Sequence, residues 1–177
     1  MRTPFCSAED GSRGIIATPA GRLPWRAGDR HAVLVYNAVV TEHFNGSIGL
    51  RGTAELTVEK EHTAAFQSGG TLPAVLSTPR LLQLVEDATS SLAAQHLDEG
   101  YASVGFEVLL EHLAPSEIGD NITAEVLLEA SEDRDLLFRF TVRDRGSLRE
   151  VARGTQTRRI VWMEDFMRRL KQENALR

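Results

Sequence analysis

The segment Pro79–His96 constrains this chain more than any other, because it is the one long run with sustained helical periodicity. At about 100° per residue, Leu81, Val85, Ala88 and Leu92 gather into a single apolar stripe. Thr78 precedes it as a good N-cap, and Pro79 suits the first helical position, where a missing N–H costs nothing. Gly100 closes the element and its loop. A one-sided helix of this length has to be covered, and the runs around it read as strands.

Before the helix, Thr53–Glu59 sets Ala54, Leu56 and Val58 against Glu55, Thr57 and Glu59, the pattern of a half-buried strand. His62–Thr71 reads as a polar, glycine-containing loop. After the helix come four strand-like runs. Ser103–His112 gathers Val104, Phe106, Val108 and Leu110 on one face, with His112 closing that face. Asn121–Ala130 does the same with Ile122, Ala124, Val126 and Leu128. Leu136–Val142 follows with Leu136, Phe138, Phe140 and Val142, and the turn Ser131–Asp135 joins the two as a hairpin loop would. Arg149–Trp162 is a longer, more polar strand, and Glu164–Glu173 ends the chain as a charged helix. Strand, helix, then four strands is an α+β layout: an antiparallel sheet with the helix segregated to one face.

The first 47 residues differ, mixing Gly, Pro, Arg and Ser without sustained periodicity apart from His31–Val40. Residues 1–47 are therefore expected to be a poorly ordered N-terminal extension with one strand or short helix, and residues 48–177 the folded domain. The net charge of −5 leaves no electrostatic footprint for nucleic acid. Cys6 is the only cysteine, which excludes an intramolecular disulfide and a cysteine-rich metal site. Met1–Asp10 lacks the apolar core of a signal peptide, and Ala32–Val40 is too short to span a bilayer. The expectation is a cytoplasmic protein without membrane partners.

Three residue types suited to assisted hydrolysis stand out. Glu86 lies at the margin of the helix stripe beside Leu82 and Ala93, where partial desolvation makes a carboxylate a readier proton acceptor. Asp87 projects to the opposite, solvated side with Arg80. His112 ends an apolar strand face, and Thr78 sits where helix amides converge and favour a developing oxyanion. Each also has a plainer reading: a boundary glutamate paired with a cation, a satisfied core histidine, a capping threonine. His31, His43 and His62 lie outside the regular core and His96 at the helix end. No recurring His–carboxylate spacing suggests a metal, and Gly69-Gly70 lacks the Lys-Ser/Thr of a phosphate loop.

From Leu50 to Val161 the chain resembles the fluoroacetyl-CoA thioesterase-like family of hotdog-fold proteins. The matching stretches are Val75-Leu76-Ser77-Thr78 leading into Leu84-Val85-Glu86, then Ser103-Val104-Gly105 through His112-Leu113-Ala114-Pro115, then Gly154-Thr155-Gln156-Thr157-Arg158. The resemblance implies a long central helix wrapped by an antiparallel sheet. It also implies catalytic roles for Thr78, Glu86 and His112, a glycine near the thioester at Gly105 and an arginine near the CoA phosphates at Arg158. By the same token His112 or Glu86 would activate water, and Thr78 would orient the water or the carboxylate. The implied substrate is a short or small acyl-CoA, hydrolysed without metal or cofactor in a homodimer or dimer of dimers. The fluoroacetate-specific member carries aromatic residues before its threonine, whereas the aligned stretch here is Gly69-Gly70-Thr71-Leu72-Pro73, with Phe66 displaced. Fluoroacetyl selectivity is thus not implied. The alternatives are a non-catalytic acyl-CoA-binding hotdog protein, which would have a broken triad, and an enoyl-CoA hydratase. Of the hydratase signature, Gly119-Asp120-Asn121 keeps only a trace.

Overall fold

The computed structural model describes residues 41–175. Along these run β1 (Arg51–Thr57), α1 (Ala64–Gln67), α2 (Thr78–Ala94), β2 (Tyr101–His112), β3 (Asn121–Glu132), β4 (Asp135–Asp144), β5 (Glu150–Trp162) and α3 (Met163–Ala175). A single 3₁₀ turn, Lys60–His62, precedes α1. The five strands form one antiparallel sheet in the order β1-β3-β4-β5-β2. This is the expected α+β arrangement, a sheet curled about one long helix.

Alternation along the central strands fills the concave side. Ile122, Ala124, Val126 and Leu128 from β3, and Leu136, Phe138, Phe140 and Val142 from β4, are all buried, as the period-two pattern predicts. They meet Leu81, Leu84, Val85, Ala88, Leu92 and Ala93 of α2. Contact between helix and sheet is close enough that a Cβ on Gly52 would lie 3.2 Å from Leu92 Cβ. Burying a Leu or Phe side chain is worth roughly 1.5–3 kcal/mol, so this layer holds the fold together.

Three local features depart from the sequence reading. His62–Thr71 is not all loop: Thr63 Oγ1 accepts from Phe66 N–H and starts the single turn of α1. The N-cap of α2 is Ser77, whose Oγ accepts from Arg80 N–H, so Thr78 is the first helical residue and its hydroxyl has no capping duty. In β2, Val104 and Phe106 do not share a face with Val108, Leu110 and His112. Phe106 is the extra residue of a β-bulge, where the register passes from Gly105↔Arg158 to Glu107↔Thr157. Ser103 and Gly105 therefore face the helix before the bulge, and Leu110 and His112 face it afterwards.

The expected domain boundary after residue 47 falls inside packed chain. Phe44 is buried in the core, Asn45 N–H donates to His96 O (2.7 Å), and Gly49 N–H donates to Leu128 O (2.9 Å). His43 stacks on Tyr101 and hydrogen-bonds its hydroxyl and Asp98. The run His31–Val40 and Cys6 lie outside the described residues. Phe44→Ala is expected to lower unfolding free energy by about 3–5 kcal/mol, the usual cost of a core Phe truncation. Urea denaturation of the full chain checks this, and a chain beginning at residue 48 should be less stable still.

Candidate active site

The candidate residues fall into two hydrogen-bonded groups within one chain, one at each end of a short stretch of α2. The first is at the helix start. Ala64 N–H donates to Val75 O, Leu76 N–H to Ser116 O, and Ser77 N–H to His62 O, so the approach to α2 is pinned on both sides. The second of these bonds ties the chain just past β2 to the chain just before α2, which carries the end of β2 to the helix N-terminus. There Thr78 Oγ1 and His112 Nδ1 lie 2.9 Å apart. His112 Nε2 is buried and has no hydrogen-bond partner among the described residues. Beside this pair, Ala64, Gln67, Ser68, Leu72, Ser77, Thr78 and Pro79 line an open depression of about 360 Å³.

The second group surrounds Glu86. Its Oε1 accepts from Gln156 Nε2, and its Oε2 accepts from Arg158 Nη1 in a salt bridge. Thr89 Oγ1 donates to Gln156 Oε1 (2.7 Å), while Arg158 Nε and Nη2 donate to Ser103 Oγ and Ser103 O (3.0 and 2.8 Å). The guanidinium is 5% exposed and the carboxylate side chain 31%, so a buried cation supports an anion at the surface of the core. Gly105 lies directly under this carboxylate: a Cβ there would stand 2.7 Å from Glu86 Oε1.

The structure thus brings Thr78 to His112, and Glu86 to Gly105 and Arg158. It does not bring the two groups together in one chain, because eight residues of helix separate Thr78 from Glu86, a rise of about 12 Å. The expected place of Arg158 beside CoA phosphates does not suit its surroundings. Its donors point inward to Glu86 and Ser103, and it works as a support for the carboxylate. Asp87 is exposed and accepts from Gln83 Nε2, in line with a solvated charge. The sequence reading did not single out Gln156, Thr89 or Ser103. For Gln156 a signal was available in β5, where Ala152, Gln156, Arg158 and Ile160 are all buried at even positions, so two polar side chains interrupt an inward row. Among the described residues no cluster of three or more metal-ligating side chains occurs.

Removing one partner of a buried ion pair strands the other, at a cost of about 3–5 kcal/mol. Glu86→Leu is expected to fall in that range by urea denaturation, and Glu86→Leu with Arg158→Met to recover most of it. A double variant no more stable than Glu86→Leu alone contradicts the pairing.

Comparison with known proteins bears on this geometry. Residues 58–164 match the model of a family described as fluoroacetyl-CoA-specific thioesterase. The fluoroacetyl-CoA thioesterase of Streptantibioticus cattleyicolor is 28% identical over 101 residues, covering 57% of this chain and 71% of that protein. A solved structure of a fluoroacetyl-CoA thioesterase superposes with a TM-score of 0.67 at 25% identity, covering 72% of this chain and 96% of the other. A Thermus thermophilus protein described as a thioesterase superfamily member gives the same TM-score at 22% identity, covering 74% and 97%, a likeness that speaks for the fold alone.

Proposed function

The chain belongs to the fluoroacetyl-CoA-specific thioesterase family, and from that premise we propose how its residues hydrolyse an acyl-CoA thioester. The protein is an acyl-CoA thioesterase of hotdog fold. The observation that carries the residue assignment is the 2.9 Å contact of Thr78 Oγ1 with His112 Nδ1 at the start of a long helix.

The thioester carbonyl sits at the α2 N-terminus, where the helix macrodipole favours the charge that develops on its oxygen. His112 and Thr78 orient the carbonyl and the incoming water. The Glu86 carboxylate, fixed at both oxygens by Gln156 and Arg158, takes a proton from water. The new C–O bond forms, the C–S bond breaks, and the thiolate of CoA leaves and collects the proton. Gly105 leaves room for the thioester beside Glu86, where any side chain would intrude.

The site is shared between two copies of the chain in this reading. β2 is an edge strand, and on it Phe106, Val108 and Leu109 are 57%, 41% and 65% exposed, an open edge that a second β2 would cover. A two-fold axis at that edge lets Thr78 and His112 of one copy meet Glu86 of the other, which removes the 12 Å or so that separates them along one helix. The substrate is a small acyl-CoA. The depression by Thr78 offers Leu72 in place of an aromatic cover, so fluoroacetyl-CoA is not favoured over acetyl-CoA.

His112→Ala and Glu86→Gln are each expected to lower turnover of acetyl-CoA by about 10²-fold or more, the scale of general-base loss, measured as thiol release. Thr78→Ser should retain most of the rate, and Asp87→Asn, one residue from Glu86 on the solvated side, all of it. An Asp87→Asn defect equal to that of Glu86→Gln, or full activity of folded His112→Ala, would refute the assignment. The shared site has its own test. Mixing inactive His112→Ala with inactive Glu86→Gln and allowing subunit exchange should restore roughly a quarter of parent activity, since half the dimers are mixed and each holds one intact site. If all three residues act within one chain, mixing restores nothing.

A further inference from the structure

α3 carries a second apolar face, apart from the β2 edge. Met163, Phe166, Met167 and Leu170 recur at the i, i+3, i+4, i+7 spacing that places them in one arc. They are 39%, 41%, 42% and 43% exposed. All but the first two residues of this helix lie past the family match, which ends at Glu164. Its tie to the rest of the fold is at its first residue, where Met163 N–H donates to Gly100 O (3.0 Å).

The charges beside the arc are arranged as well. At about 100° per residue, Glu164 and Lys171 flank the same side of the apolar arc, two turns apart. Among the described residues neither forms a salt bridge within the chain, whereas Asp165 and Arg168, on the opposite side of the helix, pair with each other at 2.8 Å. When two antiparallel helices pack about a perpendicular two-fold axis, the same flank of each faces the other. Glu164 of one helix then meets Lys171 of the second, and symmetry repeats the pair. The same register sets Phe166 against Leu170 and brings the two copies of Met167 to the axis.

We propose that α3 is a self-association helix, pairing antiparallel with α3 of a second copy of this chain through Met163, Phe166, Met167 and Leu170, with Glu164 and Lys171 setting direction and register. This interface is separate from the β2 edge, and it does not depend on the assignment of the catalytic residues.

Light scattering on the full chain tests it in two arms. Phe166→Asp with Leu170→Asp should halve the particle mass at micromolar concentration while thiol release per chain stays at the parent rate. In the second arm the apolar face is intact. Glu164→Lys and Lys171→Glu should each raise the dissociation constant by about an order of magnitude, because two attractive pairs become repulsive. Mixing the two should restore the parent mass, since every facing pair is again opposite in sign, and so should Glu164→Lys combined with Lys171→Glu. An unchanged mass in the aspartate variant overturns the proposal, as does a mixture no heavier than its components. A parent chain whose mass matches the aspartate variant, but which alone floats with phosphatidylcholine vesicles, would assign the face to lipid instead.

Discussion

Everything in this fold follows from the need to cover one helix. The stripe of α2 formed by Leu81, Val85, Ala88 and Leu92 offers more apolar surface than any loop can cover, and a single five-stranded sheet does it. A flat sheet touches a helix along a line. A twisted, curled one reaches around it, and the right-handed twist of antiparallel strands supplies that curl without special residues. Closeness is then decided by small side chains at the contact, as at Gly52 and Ala88. The order β1-β3-β4-β5-β2 gives the middle of the sheet to the most regular alternation and leaves β2, with Gly105 and His112, at the rim.

Within this apolar contact lies one polar island. Arg158, Gln156, Thr89 and Ser103 surround the inner side of Glu86 and satisfy one another's hydrogen bonds, which is the condition under which buried polar groups are tolerated. An ion pair in this position is a weak contributor to stability compared with well-packed aliphatic side chains. Its value is positional: a carboxylate anchored at both oxygens keeps one orientation toward whatever lies over Gly105. The Glu86 carboxylate is therefore held from its inner side, by residues of the sheet and of the helix itself.

Much of this was legible beforehand. The alternation of Ile122 to Leu128 and of Leu136 to Val142 gave the faces of β3 and β4 correctly, and the apolar stripe gave the buried side of α2 with Asp87 on the outside. Three things were not legible, each for a physical reason. Ser77 and Thr78 are both good capping residues, and local sequence does not tell which one caps; the choice follows from Ser77 N–H being held by His62 O. Residues 41–47 have no period, yet Phe44 plugs the core by a tertiary contact that periodicity does not encode. The direction of Arg158 depends on an anion across the sheet–helix gap, so an arginine that matched a phosphate-binding position by motif was found to face inward.

The bulge at Phe106 has a wider consequence. Val104, Phe106, Val108 and Leu110 look like an unbroken alternation, yet the strand changes phase between Gly105 and Glu107. Gly105 and His112 are an odd number of positions apart, so in a regular strand they would point to opposite sides; the extra residue lets both face α2. Parity in a strand is a two-valued variable, and a single insertion or deletion anywhere between these two positions would reverse it. Substitutions can tune such a site by degrees, but changes in the length of β2 between Gly105 and His112 can only keep it or dismantle it, which makes this short interval the least tolerant ruler in the molecule.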